Sequence, residues 1–199
     1  MSAHPTGTDA DRAPQIVGRR TLHKGRKFDF EMLTVRQGGK ETQREVVRHP
    51  GAVVVVPMTD DGQLVLIRNH RVAIGERLWE CCAGTIEPPE EPAVAAAREL
   101  VEETGYTAAT LAPLGWFFTT PGLTDERMHA FAATGLTLVE QDLEDDEAIT
   151  VELVTPARAF AMIESGELRD AKSMVAIFMA ARSGRIREHG PSADAKQRG

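Results

Sequence analysis

The chain has 199 residues, of which 42% are hydrophobic and 27% charged, enough for one sizeable core and ordinary for a globular protein. Its formal net charge of −7 argues against a general nucleic-acid or membrane-surface binder, because such binding is driven by clustered Lys and Arg. A small phosphorylated substrate stays open, since a metal ion and a few arginines can meet its charge.

Residues 1–14 are small, polar and irregular, and they lack the apolar stretch of a signal peptide. No run reaches transmembrane length. The expectation is a cytoplasmic chain with no membrane partner. The tail 183–199 is polar without periodicity, and both ends are expected to be disordered. Residues 15–50 alternate: Phe28, Phe30 and Met32 fall on one side, Asp29 and Glu31 on the other. Gln37-Gly38-Gly39-Lys40 is a turn signal, and Glu41 to Arg48 follows it. The pattern predicts a hairpin arm of exposed strands, either an extra sheet layer or a dimerisation arm.

The main domain is expected over 51–182. Ala52 to Pro57 (AVVVVP) is a short β-branched run, the mark of a strand buried on both faces. Asp60-Asp61-Gly62 predicts a hairpin turn into Gln63 to Arg68. Leu78 to Ala83 reads as a strand carrying Cys81 and Cys82, the two cysteines of the chain. They form no CxxC pattern and support no disulfide framework, so they read as buried small residues in a reducing compartment. Leu111 to Thr119 reads as strand, Thr120 to Arg127 as loop, Met128 to Gly135 as strand, Gln141 to Ala148 as acidic loop, and Ile149 to Val154 as strand. Thr155 and Pro156 are suited to cap and open a helix, and Asp170 to Arg182 reads as a last helix.

Between these strands lies Gly84 to Tyr106, GTIEPPEEPAVAAARELVEETGY. Pro92 suits a first helical residue and Gly105 a left-handed helix end. At about 100° per residue, Val94, Ala97, Leu100 and Val101 share one face, which predicts the packing face. Glu99, Glu102 and Glu103 share the other, above Ala95 and Ala96. A solvated acidic face would carry lysines at i+4 to relieve repulsion. Arg98 is the only cation here, so the face calls for an outside positive charge, and hard divalent ions meet that need.

The spacing of Gly84, Glu90, Arg98-Glu99-Leu100, Glu102-Glu103 and Gly105 resembles the box of the Nudix family. Tyr106 departs from it, standing where the family usually has an aliphatic residue. The resemblance implies an α/β/α sandwich around a mixed sheet, and hydrolysis of a nucleoside diphosphate linked to another moiety. It implies Glu99 and Glu103 as principal ligands of Mg²⁺ (Mn²⁺ as a substitute), Glu102 as a third or shared ligand with a part in catalysis, and the Ala83 carbonyl at the metal. Gly84, Glu90, Arg98 and Gly105 then become structural supports. Such an ion offsets the charge of a pyrophosphate and lowers the pKa of a bound water. One departure lies alongside: Cys82 stands where the family commonly has a proline before Ala-Gly.

Pro121, fifteen residues beyond Tyr106, lies in PGLTDE with Gly122 and Glu126. With RHPGAVVVVP, LIRNHRVAIGE and SGELRDAKSMVAIFMA, this is similar to the ADP-ribose pyrophosphatase branch. That likeness implies conversion of ADP-ribose to AMP and ribose 5-phosphate by a homodimer. Pro121, Gly122 and Glu126 would form a specificity loop, while Arg71 and more weakly Arg44 would contact substrate. Phe28 or Phe30 would stack on the base from the partner subunit, the alternative for a strand aromatic being a place in the core. Glu147 in the acidic loop matches the general base, with Asp146 as the alternative. Another nucleotide sugar such as GDP-mannose, or a ligand-sensing module without turnover, are the competing readings.

Overall fold

The computed structural model describes residues 13–141, 143 and 149–186. It divides into two compact units. One comprises the chain up to Pro50 together with Thr120–Glu126; the other comprises Gly51–Thr119 and the chain from Arg127 onward.

The first unit is a three-stranded antiparallel sheet in the order β1 (Gln15–Lys24), β2 (Asp29–Gln37), β3 (Lys40–Arg48). The expected hairpin is present as β2 and β3, joined through Gly38 (φ 56°) and Gly39 (φ 73°). Two consecutive left-handed residues suit the twist of a two-residue hairpin turn, and glycine adopts them without steric cost. The sheet gains β1 as a third strand, which alternation did not separate from the loop before Phe28. Leu33 on the central strand is the buried hydrophobic residue of this sheet.

In the second unit, β4 (Ala52–Pro57) pairs antiparallel with β7 (Ala83–Thr85) and parallel with β9 (Arg127–Leu138). Strand β8 (Tyr106–Phe118) pairs antiparallel with β9, completing the four-stranded order β7-β4-β9-β8. A second sheet has the order β10 (Thr150–Val154), β5 (Leu64–Arg71), β6 (Glu76–Glu80). The turn at Asp60-Asp61-Gly62 therefore does not close a hairpin ladder. A single bridge joins Met58 to Leu64, and β4 and β5 go on to different sheets.

The β-branched run of β4 explains the layering. Val54 and Val56 face the helices α2 (Pro156–Ser165) and α3 (Ala171–Arg182), among Ala159, Phe160, Ala176 and Ile177. Val53 and Val55 face Ala95, Ala96 and Leu100 of α1 (Pro92–Thr104). All four valines are fully or almost fully buried, each worth about 2 kcal/mol relative to exposure. The two cysteines do not lie on a strand as expected but between β6 and β7, where the chain passes from one sheet to the other; Cys81 joins the first cluster and Cys82 the second. This is the expected α/β/α sandwich with a mixed sheet.

Helix ends follow the expected chemistry. Thr155 accepts a hydrogen bond from the Arg158 N–H ahead of Pro156, and Asp170 caps α3 through the Ser173 N–H. The end of the chain differs from expectation at 183–186. These residues continue in a turn from α3, with the Arg185 N–H bonded to the Ala180 carbonyl and Ile186 buried in the core. One apolar side chain within reach of the core is enough to hold this turn in place. Residues 1–12 and 187–199, the bulk of the expected disordered ends, lie outside the described residues.

Candidate active site

Helix α1 starts at Pro92 and ends at Gly105, whose φ of 70° is left-handed and whose N–H bonds to the Val101 carbonyl. The face it buries is not the expected one. Ala95, Ala96, Glu99, Leu100, Glu103 and Thr104 are buried, while Val94 is exposed at 58%. Thus Leu100 packs inward as predicted, but Val94 and Ala97 do not, and Glu99 and Glu103 lie on the packed side. Helical periodicity places residues on faces, but it counts every carboxylate as a solvent group. Here a backbone N–H from outside the helix and an arginine within it make the burial of two carboxylates tolerable.

Those partners are specific. The Ala83 N–H, at the start of β7, donates to Glu103 Oε2 at 2.8 Å. Arg98 Nη1 donates to Glu99 Oε1 at 2.9 Å and to Glu102 Oε2 at 2.8 Å. The rest of the same guanidinium holds the loop before the helix: Nε and Nη2 donate to the two oxygens of Glu90, and Nη2 also donates to the Thr85 carbonyl. The Arg98 bonds hold the Glu90 carboxyl below the usual carboxylate range, and the acids raise Arg98 further above its already high value. Arg98 thus bonds both to Glu90 and to two of the three expected ligands.

Gly84 is required by proximity. A Cβ built at this position would lie closer than 3.0 Å to the carboxylate carbon and both oxygens of Glu99. The missing side chain is the space that the Glu99 carboxylate fills against β7. Ala83 and Gly84 therefore act together, one through its N–H and the other through its lack of a Cβ. Glu99, Glu102 and Glu103 form an oxygen-only donor set in which one guanidinium is shared with Glu90. This chemistry suits a hard divalent cation. Among the described residues, no three His, Cys, Asp or Glu side chains are already gathered as a metal cage. Magnesium does not require one, because it takes part of its shell from water and substrate phosphates.

Arg71, at the end of β5, lies in the same unit. Its Nε and Nη2 donate to the two oxygens of Glu80 at 2.7 and 2.5 Å. Glu80 is fully buried and also accepts from Lys172 Nζ at 2.5 Å. Lys172 in turn pairs with Asp170 at 2.9 Å. The Glu80 bond, with the nearby charge of Glu103, keeps Arg71 firmly protonated. Sequence reasoning missed Glu80 and Lys172. A signal was present: in ERLWE, alternation puts Glu80 on the same inward side as Leu78, so a buried acid needing cations was readable.

The remaining expected residues lie in the first unit or outside the described residues. Arg44 is exposed on β3, and its Nη1 donates to the Gln43 carbonyl. Pro121 and Gly122 are exposed in the segment 120–126, and a Cβ at Gly122 would meet open space. Glu126 lies 3.8 Å from His49 Nε2. Phe28 is half exposed and stacks on His49, with ring centroids 5.9 Å apart and planes inclined by 22°. Phe28, Phe30, Val47, His23, Gly25, Arg26 and Lys27 line a cavity of about 460 Å³ in this unit. Glu147 and its alternative Asp146 lie outside the described residues.

Comparison with known proteins bears directly on this arrangement of acids, glycine and arginine. A family model described as the NUDIX domain matches residues 47–176. The chain belongs to the Nudix family and is a Nudix hydrolase. It is 38% identical over 166 residues to an ADP-ribose pyrophosphatase of Bacillus subtilis (strain 168), covering 82% of this chain and 90% of that one. It is 41% identical over 124 residues to an ADP-ribose pyrophosphatase of Mycobacterium tuberculosis, covering 61% and 60% of the two chains. A solved structure described as an ADP compounds hydrolase superposes with a TM-score of 0.74 at 25% identity, covering 88% of this chain and 98% of its own. No helix among the described residues is long and apolar enough to cross a membrane.

Proposed function

We propose that this Nudix hydrolase cleaves the pyrophosphate bond of ADP-ribose to give AMP and ribose 5-phosphate. The observation that carries the reading is the set of carboxylates held by Arg98, Gly84 and Ala83 on α1, in a chain whose relatives include ADP-ribose pyrophosphatases.

Glu99, Glu102 and Glu103 would hold Mg²⁺, with Mn²⁺ as a substitute, and the Ala83 carbonyl would complete the protein's share. The ion supplies positive charge that offsets the repulsion between the diphosphate and an attacking nucleophile. The chain's own residues do the rest. Arg98 keeps two carboxylates side by side, so that less ordering is left to the moment of binding. Glu80 takes up one edge of Arg71, leaving the remaining guanidinium N–H groups to bind a phosphate oxygen. Glu147 would take the proton from the attacking water.

Base recognition belongs to the aromatic cavity at Phe28, whose exposed ring offers a stacking face beside Arg26 and Lys27. Residues Pro121, Gly122 and Glu126 would recognise the sugar side, with Arg44 as a weaker contact. A homodimer accounts for the first unit. Among the described residues, strand β1 has one strand neighbour and exposes Ile16, Val17 and Leu22, and an apolar sheet edge of this length favours pairing with a second copy. A reducing, cytoplasmic setting agrees with two free, buried thiols.

The test is a panel of nucleotide sugars and nucleoside triphosphates incubated with Mg²⁺, with products identified by chromatography. AMP and ribose 5-phosphate from ADP-ribose, abolished by a chelator, are expected. Preference for GDP-mannose or for a triphosphate would overturn the substrate, and binding without any turnover would favour a sensing module. Light scattering on the eluting protein decides the dimer.

A further inference from the structure

The segment 120–126 joins β8 to β9 in the chain, yet its bonds run to the end of β3. The Val47 N–H donates to the Leu123 carbonyl at 2.9 Å, and Val47 and Thr124 form a parallel bridge. The main bond between side chains here is made by Asp125. Its Oδ2 accepts from Arg48 Nη1 at 2.8 Å and its Oδ1 from the His49 N–H at 2.9 Å. Arg48 is itself held from the other side, since its Nε donates to Glu31 Oε2 at 2.9 Å. The Asp125 carboxylate thus spans two consecutive residues at the strand exit and uses both oxygens. Burial alone would raise its pKa, but Arg48 and the His49 N–H bring it below the ordinary value.

His49 is the residue on which Phe28 stacks and which Glu126 approaches. One clamp therefore controls two things: where the segment carrying Pro121, Gly122 and Glu126 rests, and how the backbone presents the His49–Phe28 platform. We infer that Asp125, clamped by Arg48, is a positioning residue that makes the 120–126 segment and the aromatic platform one recognition surface for the nucleotide substrate. This rests on the proposed function. A clamp of this kind acts on affinity and on discrimination between nucleotide sugars, because it orders groups that bind and touches none of those that react. An isolated surface ion pair would carry little. Here a backbone N–H shares the same carboxylate, and the segment's main chain pairs with Val47, so removing the carboxylate frees a loop.

The test compares wild type with Asp125→Ala, Arg48→Met and the double variant. Arg36→Met serves as control, because it breaks an exposed Arg36–Glu41 pair of 2.6 Å in the same sheet. Hydrogen exchange is followed over residues 120–126, and kcat and KM are measured for ADP-ribose and for GDP-mannose. Faster exchange in the segment is expected, with KM for ADP-ribose raised about tenfold, the scale of one charge-assisted hydrogen bond. kcat should stay within about twofold, discrimination between the two sugars should narrow, and the double variant should be no worse than either single one. The control should leave both readouts unchanged. Unchanged exchange in Asp125→Ala overturns the clamp. Faster exchange with unchanged KM and discrimination overturns the recognition role and leaves a structural tie. If wild type turns over no nucleotide sugar, the function proposed above fails and the recognition role fails with it, while exchange still decides the clamp.

Discussion

Replacing Gly84 by Ala is the sharpest test of how the site is built. The added Cβ would sit closer than 3.0 Å to three atoms of the Glu99 carboxylate group. Restoring ordinary separations of about 3.5 Å requires the carboxylate to move by about 1.5 Å. What must give way is the end of a flexible side chain, and the strand pairing of Val53 with Gly84 is untouched. The fold should therefore survive with a loss of about 1 kcal/mol or less, the ordinary scale for a tolerated substitution. Activity should not survive equally well. A 1 Å displacement of a ligating group costs on the order of a hundredfold in rate, about 2.7 kcal/mol of transition-state stabilisation. The shift also breaks the 2.9 Å bond that lets Arg98 align Glu99 with Glu102. Steady-state kinetics on ADP-ribose with Mg²⁺, beside a thermal melt, separates the two effects. A variant whose kcat/KM stays within threefold of wild type would show that the Glu99 position does not matter to the chemistry.

Glu99→Gln and Glu103→Gln should each lower turnover by at least about two orders of magnitude. In Glu103→Gln the side-chain amide oxygen can still accept from the Ala83 N–H, so retained activity there would reduce Glu103 to a backbone support. Glu80→Ala leaves Arg71 and Lys172 without their shared carboxylate, and should cost about 3 kcal/mol in urea unfolding; a loss below about 1 kcal/mol would mean the buried trio is not a stabilising unit. Burial pushes the Cys81 thiol up to about 12 and Cys82 well above its usual value. At pH 8 roughly one Cys81 in 10⁴ is then a thiolate, so native protein should resist alkylation until unfolded; rapid labelling of either thiol would refute this. Glu90 and Asp125 both have depressed carboxyl pKa values. The stability they contribute is complete above the unfolded value near about 4 and is lost as pH falls through the lower folded values. A Glu90→Gln/Asp125→Asn protein should show a flatter fall in melting temperature below about pH 4, and an unchanged acid limb would contradict the assignment.

Much of the architecture was legible from local pattern. Val53 to Val56 announced a strand buried on both faces, Pro92 and Gly105 bounded the helix, and Thr155 with Pro156 opened the next one. The box positions were legible through their resemblance to the Nudix box, and the helical repeat placed Glu99, Glu102 and Glu103 within a turn of one another. Local pattern did not reveal partnership across the chain. Strand β4 lies parallel to β9, more than seventy positions later, and no feature of AVVVVP names that partner. The segment at Pro121 could be read as a loop, but not as one tied to β3 by Asp125.

Glu99, Glu102 and Glu103, by their spacing alone, determined that one helix carries the acids and that they stand within a turn of each other. Only the tertiary structure decided which side of that helix is packed. Periodicity assigns carboxylates to solvent because burying an unpaired charge is costly. That cost is removed by groups the helix does not contain, the Ala83 N–H and the vacant Cβ position of Gly84, together with an Arg98 oriented by Glu90 and Thr85. A one-dimensional pattern holds the charges, and the fold supplies what makes their burial possible.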